Sequence, residues 1–339
     1  MPNLPVMMGI MDPLYNLFGW VLRNMYAWLE NYGLVIIVFT ILLNVILIPF
    51  GVKSQKSLLK QQGLQDEINE IKRLYPDDPQ MQQQLQAELF KQNGVSLAGG
   101  CLPSFLRLIF ILPVFRIFQQ PLHYIGGVSL ENIAKIGEYL TNNNLVGETA
   151  AKMMQRSDIP ILSVLQNNAG ALGDVVDKGY LKLNQLIDLD FFGINLGMTP
   201  SWKPAEVFGD DWRVYLPLLI LPLLTIIAMV VQMALTRKTS QVKVVDKAEI
   251  ERAKQNPARA AQSPQDKSNT GMMKGMNFFM IAIMIWTMFT LPSAMGVYWF
   301  VNSVMGIAQS LFIYYFYTKP FRLALGQNNQ SYNKRRSVR

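Results

Sequence analysis

The sequence predicts an all-α polytopic membrane protein with five transmembrane helices, a cytoplasmic helical hairpin and an external amphipathic helix. Three observations predict it. Half of the 339 residues are hydrophobic and only 16% are charged, which shifts the chain away from the composition of a soluble domain. Several apolar runs approach the ~20 residues that cross a bilayer. Lysine and arginine gather in alternate connecting segments, as the positive-inside bias requires.

The elements follow in order. Residues 1–31 form the external amphipathic helix: Leu14, Phe18, Val21, Met25 and Trp28 recur at helical spacing, with Trp20 and Tyr26 nearby, as in a helix lying among headgroups. Its start, MPNLPVMMGIMDPL, lacks a basic region and a small-residue cleavage site, so no cleavable signal peptide is expected. Span one covers 32–52. Residues 53–96 are the cytoplasmic hairpin, two polar arms broken between Pro76 and Pro79 and closed by Asn93 and Gly94. Its seam is expected to set Met81, Leu85 and Leu89 against Ile68 and Ile71. Gly63 should weaken the first arm by about 1 kcal/mol relative to alanine.

Span two covers 97–118, and 119–213 is an extracytoplasmic helical segment. Within it SLENIAKIGEYL and LGDVVDKGYLKLNQLI read as helices interrupted by Gly, Asn and Pro. Spans three, four and five cover 214–235, 276–291 and 294–317, the fourth short at about 24 Å. A basic cytoplasmic loop, 236–275, separates spans three and four, and its Lys-, Gln-, Ala- and Ser-rich part, 238–272, reads as a mobile linker with partial helix. A basic tail, 318–339, closes the chain.

Most lysines and arginines lie in 53–96, 236–275 and 318–339, whereas 119–213 is acidic overall. The first group therefore faces the cytoplasm, with the N-terminus outside and the C-terminus inside. The tail NKRRSVR and the loop residues Arg237, Lys238, Lys243, Lys247, Arg252 and Lys254 form basic patches near the membrane. Topogenic charge with contact to anionic lipid is one reading of them, and contact with ribosomal RNA is the other.

The spans carry no aspartate, glutamate or histidine. A proton-coupled carrier needs an ionisable relay in the membrane, and hydrolysis needs a base, a metal site or an activated nucleophile. No catalytic residue, metal site or cofactor is expected, and the chain is read as not an enzyme. The one histidine, His123, reads as an interfacial residue, since no carboxylate or cysteine cluster accompanies it. The one cysteine, Cys101, allows no intrachain disulfide.

Polar residues recur inside the spans at helical spacing. Thr40 and Asn44 share a face of span one; Thr225, Met229 and Gln232 one of span three; and Tyr298, Asn302, Met305 and Gln309 one of span five. Interhelical hydrogen bonding, about 0.6 kcal/mol per contact, accounts for any one of them. Arg107, in the middle of span two, is harder to absorb. A charge at the bilayer centre costs about 2.5–3.5 kcal/mol on insertion scales, and no acid in the spans accompanies it. Arg116, nine residues on and near the external end, can snorkel to headgroups. By helical rise Arg107 lies about 15 Å from the cytoplasmic end and Asn44 about 12 Å, so the two can face one another. Met272, Met276, Met280, Met284 and Met288 step by four into and along span four. They read either as packing and lipid contact or as an adaptable surface for hydrophobic substrates.

The chain resembles the YidC, Oxa1 and Alb3 family of membrane protein insertases. The resemblance runs through YGLVIIVFTILLNVILIPF (32–50), the hairpin, NGVSLAGGCLPSFLRLIFILPVF (93–115) and LPSAMGVYWFVNSVMGIAQ (291–309). Pro292, Tyr298, Trp299, Asn302 and Gln309 carry the pattern of the last span. With no large soluble domain before span one, the layout resembles the Gram-positive type. The family usually has an arginine in span one at the position of Asn44 and commonly a glutamine at that of Arg107, so the cation here has crossed to span two. Either the exchange is compensating, or the charge is dispensable and Arg107 reaches toward cytoplasmic headgroups.

The resemblance implies a groove, open to cytoplasm and lipid, that moves short hydrophilic segments of substrates inward and releases their helices into lipid without nucleotide hydrolysis. Arg107, Asn44, Thr40, Gln232, Tyr298, Asn302 and Gln309 would line it, and Met276, Met280, Met284 and Met288 would meet hydrophobic substrate. It further implies a multi-pass protein of the bacterial cell membrane. Its partners would be nascent membrane proteins, the ribosome at the basic tail and loop, the Sec translocon, the signal recognition particle pathway and anionic lipids. A polytopic channel or solute transporter is the alternative.

Overall fold

A computed structural model describes residues 5–95, 102–154, 156–210, 212–240, 279 and 281–320. Within these, the side chains of 5–10, 62, 65–66, 102–108, 237–238 and 240 are left out of the description. The chain divides into two compact units. The first holds Met1–Val45, Phe105–Ala228 and Trp286–Ser303; the second holds Ile46–Ser104, Met229–Ile285 and Val304–Arg339.

Helices dominate. Helix α1 is Pro5–Leu29 and α2 is Tyr32–Gly63. Then come α3, Gln65–Leu74; α4, Pro79–Gln92; and α5, Leu102–Gln119. Three helices among the described residues are long and apolar enough to cross a membrane: Tyr32–Gln61, Trp212–Thr236 and Ser293–Thr318. Ile109–Gln119 is a shorter apolar stretch. Parts of expected spans two and four, residues 97–101, 276–278 and 280, lie outside the described residues.

The helix that carries expected span one continues past residue 52. Nothing between Phe50 and Gln61 breaks a helix, so α2 runs on to Gly63 in one piece, about 48 Å by helical rise. Gly63 thus ends a helix instead of weakening the interior of one. Helix α4 starts where its chemistry dictates: Asp78 accepts a 2.9 Å bond from the Met81 amide, and Pro79 needs no amide partner at the first helical position. It ends at Asn93, followed by Gly94 at φ +61°. The seam between α3 and α4 differs from the expected one. Ile68, Phe90 and Val95 form its buried cluster, with Leu64 and Leu89 packed against them, while Met81 is exposed.

In the first unit, segment 119–213 is a packed structure. Helix α6 is Pro121–Tyr124, α7 Leu130–Asn142, α8 Glu148–Met154, α9 Ile159–Asn167 and α10 Ala169–Asp177. Ser129 caps α7 through the Asn132 amide at 3.1 Å, and Asn168 caps α10 through the Ala171 amide at 3.0 Å. Ile133, Ile136 and Leu140 at i, i+3, i+7 bury one face of α7; Ile161, Leu162 and Leu165 of α9 and Val175 of α10 are buried too. Each such side chain contributes about 1.5–3 kcal/mol when fully buried, so this segment has a core of its own. On α1, Phe18 and Leu22 are buried, while Trp20 and Trp28 are exposed.

One feature departs from an all-α fold. Asp190–Phe191 (β1) and Ile194–Asn195 (β2) form an antiparallel hairpin. Its two-residue loop, Phe192 at φ +53° and Gly193 at φ +78°, has the paired positive φ of a type I′ turn. Glycine suits that conformation; phenylalanine costs about 1–2 kcal/mol there. The Phe191 ring occupies the space a side chain at Gly33 would need, so only glycine fits at that point of α2.

Helix α11 is Pro204–Val207 and α12 is Trp212–Ser240. Residues 281–288 form α13, and α14 is Ser293–Ile313, continued by a wide π turn over Tyr314–Thr318. The start of α14 is capped by main chain from segment 119–213. Met198 oxygen accepts from the Ser293 amide at 2.8 Å and hydroxyl at 2.7 Å, and Leu196 oxygen accepts from the Ala294 amide at 2.9 Å. Leu34, Val38, Ile41 and Val45 on α2, and Ile220, Leu223, Ile227 and Val230 on α12, are exposed. Apolar helix faces of this kind are covered by lipid.

Candidate functional site

Six of the seven expected groove residues have described side chains, and they lie in two sets. In the first unit, α2 places Thr40 and Asn44 one turn apart, and α14 places Tyr298 and Asn302 one turn apart. The Asn44 amide nitrogen donates to Asn302 Oδ1 at 3.2 Å and to the Thr40 carbonyl at 2.9 Å. Asn44 is 6% exposed and Asn302 half-buried. Thr40 is fully buried and its hydroxyl returns to the Ile36 carbonyl at 2.6 Å, so it offers a substrate no surface. Thr225 behaves likewise, donating to Leu221 oxygen at 2.7 Å and lying 3.3 Å from Gly296 oxygen. The Tyr298 ring is buried against Phe118, centroids 6.1 Å apart. Beside it, the buried Trp299 indole nitrogen has no hydrogen-bond partner among the described residues.

In the second unit, Gln232 of α12 and Gln309 of α14 complete the expected set, both half-buried. The Gln232 amide lies over Gly306, and the Gln309 amide over Gly51. Sequence spacing found the glutamines and missed the glycines that seat them, although an isolated glycine in an apolar helix signals close approach. It also missed the Thr236–Ser310 hydroxyl pair at 3.1 Å and Lys56, whose ammonium stands 4.7 Å from the Tyr317 ring centroid. Thr236 follows Gln232 by four and shares its face.

The side chain of Arg107 lies outside the described residues, as do Met272, Met276 and Met280. Met284 is half-buried. Met288 is 3% exposed, so it packs inside the first unit and presents nothing to a passing substrate.

Elsewhere in the first unit, a cavity of about 250 Å³ is lined by Gln119, Arg156, Ser157, Thr199, Thr290 and Pro292 among others, none of them an expected groove residue. Asp158 is sealed nearby in sequence: one carboxylate oxygen accepts from the His123 amide at 3.0 Å, and the other has no partner among the described residues. Burial pushes this carboxyl up to about 8, against the opposing pull of the His123 and Leu122 amides. His123 is half-buried with Nδ1 2.8 Å from Val128 oxygen, and its ring stands edge-on to Tyr124. Among the described residues no group of three His, Cys, Asp or Glu side chains is placed to hold a metal.

Long apolar helices with lipid-facing exteriors and amides between them define a multi-pass membrane protein. The family model described as 60Kd inner membrane protein matches residues 24–320, and the chain belongs to that family. The chain is similar to a membrane protein insertase YidC of Leptospira interrogans, 34% identical over 113 residues, or 33% of this chain and 18% of the relative. It is similar to one from Caldanaerobacter subterraneus, 32% identical over 101 residues, covering 30% and 49%. A third, from Fusobacterium nucleatum, is 33% identical over 114 residues, covering 32% and 56%. The matches thus span less than two thirds of the length of each of these relatives.

Proposed function

We propose that the protein is a membrane protein insertase. It draws short hydrophilic segments of substrate chains part of the way across the bilayer through a hydrated, positively charged groove and releases their hydrophobic helices into lipid. No nucleotide is hydrolysed by this chain. The observation that carries the reading is the Asn44–Asn302 contact, a side-chain amide pair 3.2 Å apart between two apolar helices. Its acceptor, Asn302, is half-buried. The name carried by the three relatives supports the same activity.

In this mechanism Arg107 supplies the cation and Asn44 the amide at similar depth. At 4 Å and an effective dielectric near 20, the attraction to an acidic substrate residue is about 4 kcal/mol before desolvation. That recruits without trapping. Gln232 and Gln309 offer further polar side chains to the substrate, and Met276, Met280 and Met284 meet the incoming hydrophobic segment with soft side chains. The groove opens to the cytoplasm, which also holds the hairpin, the 236–275 loop and the C-terminal tail, while the N-terminus is outside. The basic loop and tail contact the ribosome and anionic lipid.

Reconstitution of the purified chain into liposomes tests this. A small one- or two-span substrate should become protected from external protease well beyond the level in empty liposomes. Absence of protection, accompanied by ion or solute flux through the reconstituted chain, would replace the insertase with a channel or transporter.

A further inference from the structure

We infer that the β1–β2 hairpin is a membrane-interface anchor, with Phe192 inserting its ring among lipid headgroups at the boundary of span one. The inference is independent of the insertase activity. It rests on where the hairpin is held and on what it presents.

Two tethers fix its position. The Phe191 ring is seated on Gly33, the second residue of α2. At the hairpin's root, the Asp188 amide donates to the Tyr26 hydroxyl at 3.0 Å. Charge marks the bilayer edge at the same place. Glu30 is the last charged residue before span one and Lys53 the first after it, so 31–52 is an uncharged stretch. Such a stretch, about 33 Å by helical rise, matches the hydrocarbon core. Gly33 therefore lies at the entry to the apolar layer, and Phe191 brings the hairpin tip to that level whichever side of the membrane it faces.

The tip presents an aromatic ring where a turn favours a small or polar residue. Phe192 sits in left-handed backbone at φ +53° and is 88% exposed, its ring making an edge contact with Phe191 at 4.7 Å. A bulky apolar side chain held in disfavoured backbone and directed away from the fold gains nothing inside the unit. A headgroup layer gives such a ring an apolar side to bury against, the placement aromatic residues favour at membrane boundaries. Trp28, 85% exposed and four residues before Tyr32, stands at the same end of span one and strengthens the case for lipid over water as its surroundings.

The full chain in lipid vesicles tests this. With Cys101→Ser as background, Phe192→Cys carries an environment-sensitive fluorophore, and Asp177→Cys, on an exposed helix end, serves as reference. The label at 192 should be quenched by nitroxide lipids labelled near the glycerol level, with several-fold weaker iodide quenching than at 177. Iodide quenching equal to the reference would overturn the proposal, including the case in which the site then crosslinks to a protein in native membranes. A second variant guards against a folding artefact, because asparagine fits left-handed backbone better than phenylalanine. In nanodiscs Phe192→Asn should exchange the amides of 189–196 several-fold faster than wild type without a lower thermal midpoint. Unchanged or slower exchange would overturn the anchor and leave Phe192 a purely local residue of the turn.

Discussion

The two units treat their intramembrane polar side chains differently. In the first, Thr40 and Thr225 are buried and return their hydroxyls to their own helices, and Asn44 divides its amide between Thr40 and Asn302. In the second, the Gln232 and Gln309 amides lie on the glycine backbones of Gly306 and Gly51 and remain partly exposed. A hydroxyl satisfied by its own helix costs little to bury and does little else. An amide resting on glycine is held by a long side chain that can turn toward another partner. We expect the first arrangement to serve helix cohesion and the second to meet a hydrophilic chain, and four changes test it.

The largest effect belongs to the cation. Arg107→Ala should lower insertion of a substrate with an acidic tail by about tenfold or more, given that 1.4 kcal/mol is a factor of ten and only part of the Coulomb attraction survives desolvation. Asn44→Arg combined with Arg107→Gln should restore it in the same protease-protection assay. Undiminished insertion by the single variant would place all useful polarity in the second unit.

Next comes Asp158, the most thoroughly sealed acid of the first unit. Its folded-state value, about 8, is raised above that of an unfolded aspartate, near 3.9. The folded state therefore holds the proton that the unfolded state releases, and stability falls as pH rises from about 4 to about 8, levelling off above. Thermal melts across that range should show the decline, and Asp158→Asn should flatten it. A flat profile in wild type would mean that the carboxyl is better solvated than its burial indicates.

A smaller effect is expected from the amide pair. A double-mutant cycle of Asn44→Ala with Asn302→Ala should give a coupling of about 0.6 kcal/mol, with about 1.7 as the upper end for such contacts in membranes. Least of all, Gly306→Ala and Gly51→Ala should shift stability by under about 1 kcal/mol, because a glutamine end can swing aside. Their mark should appear in insertion rate. Gly33→Ala is the contrasting control: it meets the rigid Phe191 ring and should cost about 1–3 kcal/mol.

Much of the helical layout could be read from residue spacing because it follows from short-range chemistry. Pro79 and Asp78 start α4, Gly94 ends it, and the apolar run from Leu34 to Phe50 needs lipid around it. What escaped is tertiary. Phe90 and Val95 enter the α3–α4 seam while Met81 stays out. The order within 119–213 was hidden by its many Gly, Asn and Pro residues, which turn out to cap and connect short helices around one core. Periodicity placed Thr40 and Asn44 on one polar face of span one and Asn302 on a polar face of span five, yet it carries no information on burial, so it treated a self-satisfied threonine like an amide that reaches another helix. For Met288, spacing left packing and an adaptable substrate surface open alike, and its burial favours packing.

The bonds from Ser293 and Ala294 to the oxygens of Met198 and Leu196 have a genetic consequence. Two of the three donors and both acceptors are peptide groups, so substitution at 196 or 198 alters a side chain while leaving the stitched carbonyls in place. The seam at the head of this helix thereby withstands most drift in the code; proline at 293 or 294, or a shift of the loop itself, takes it apart.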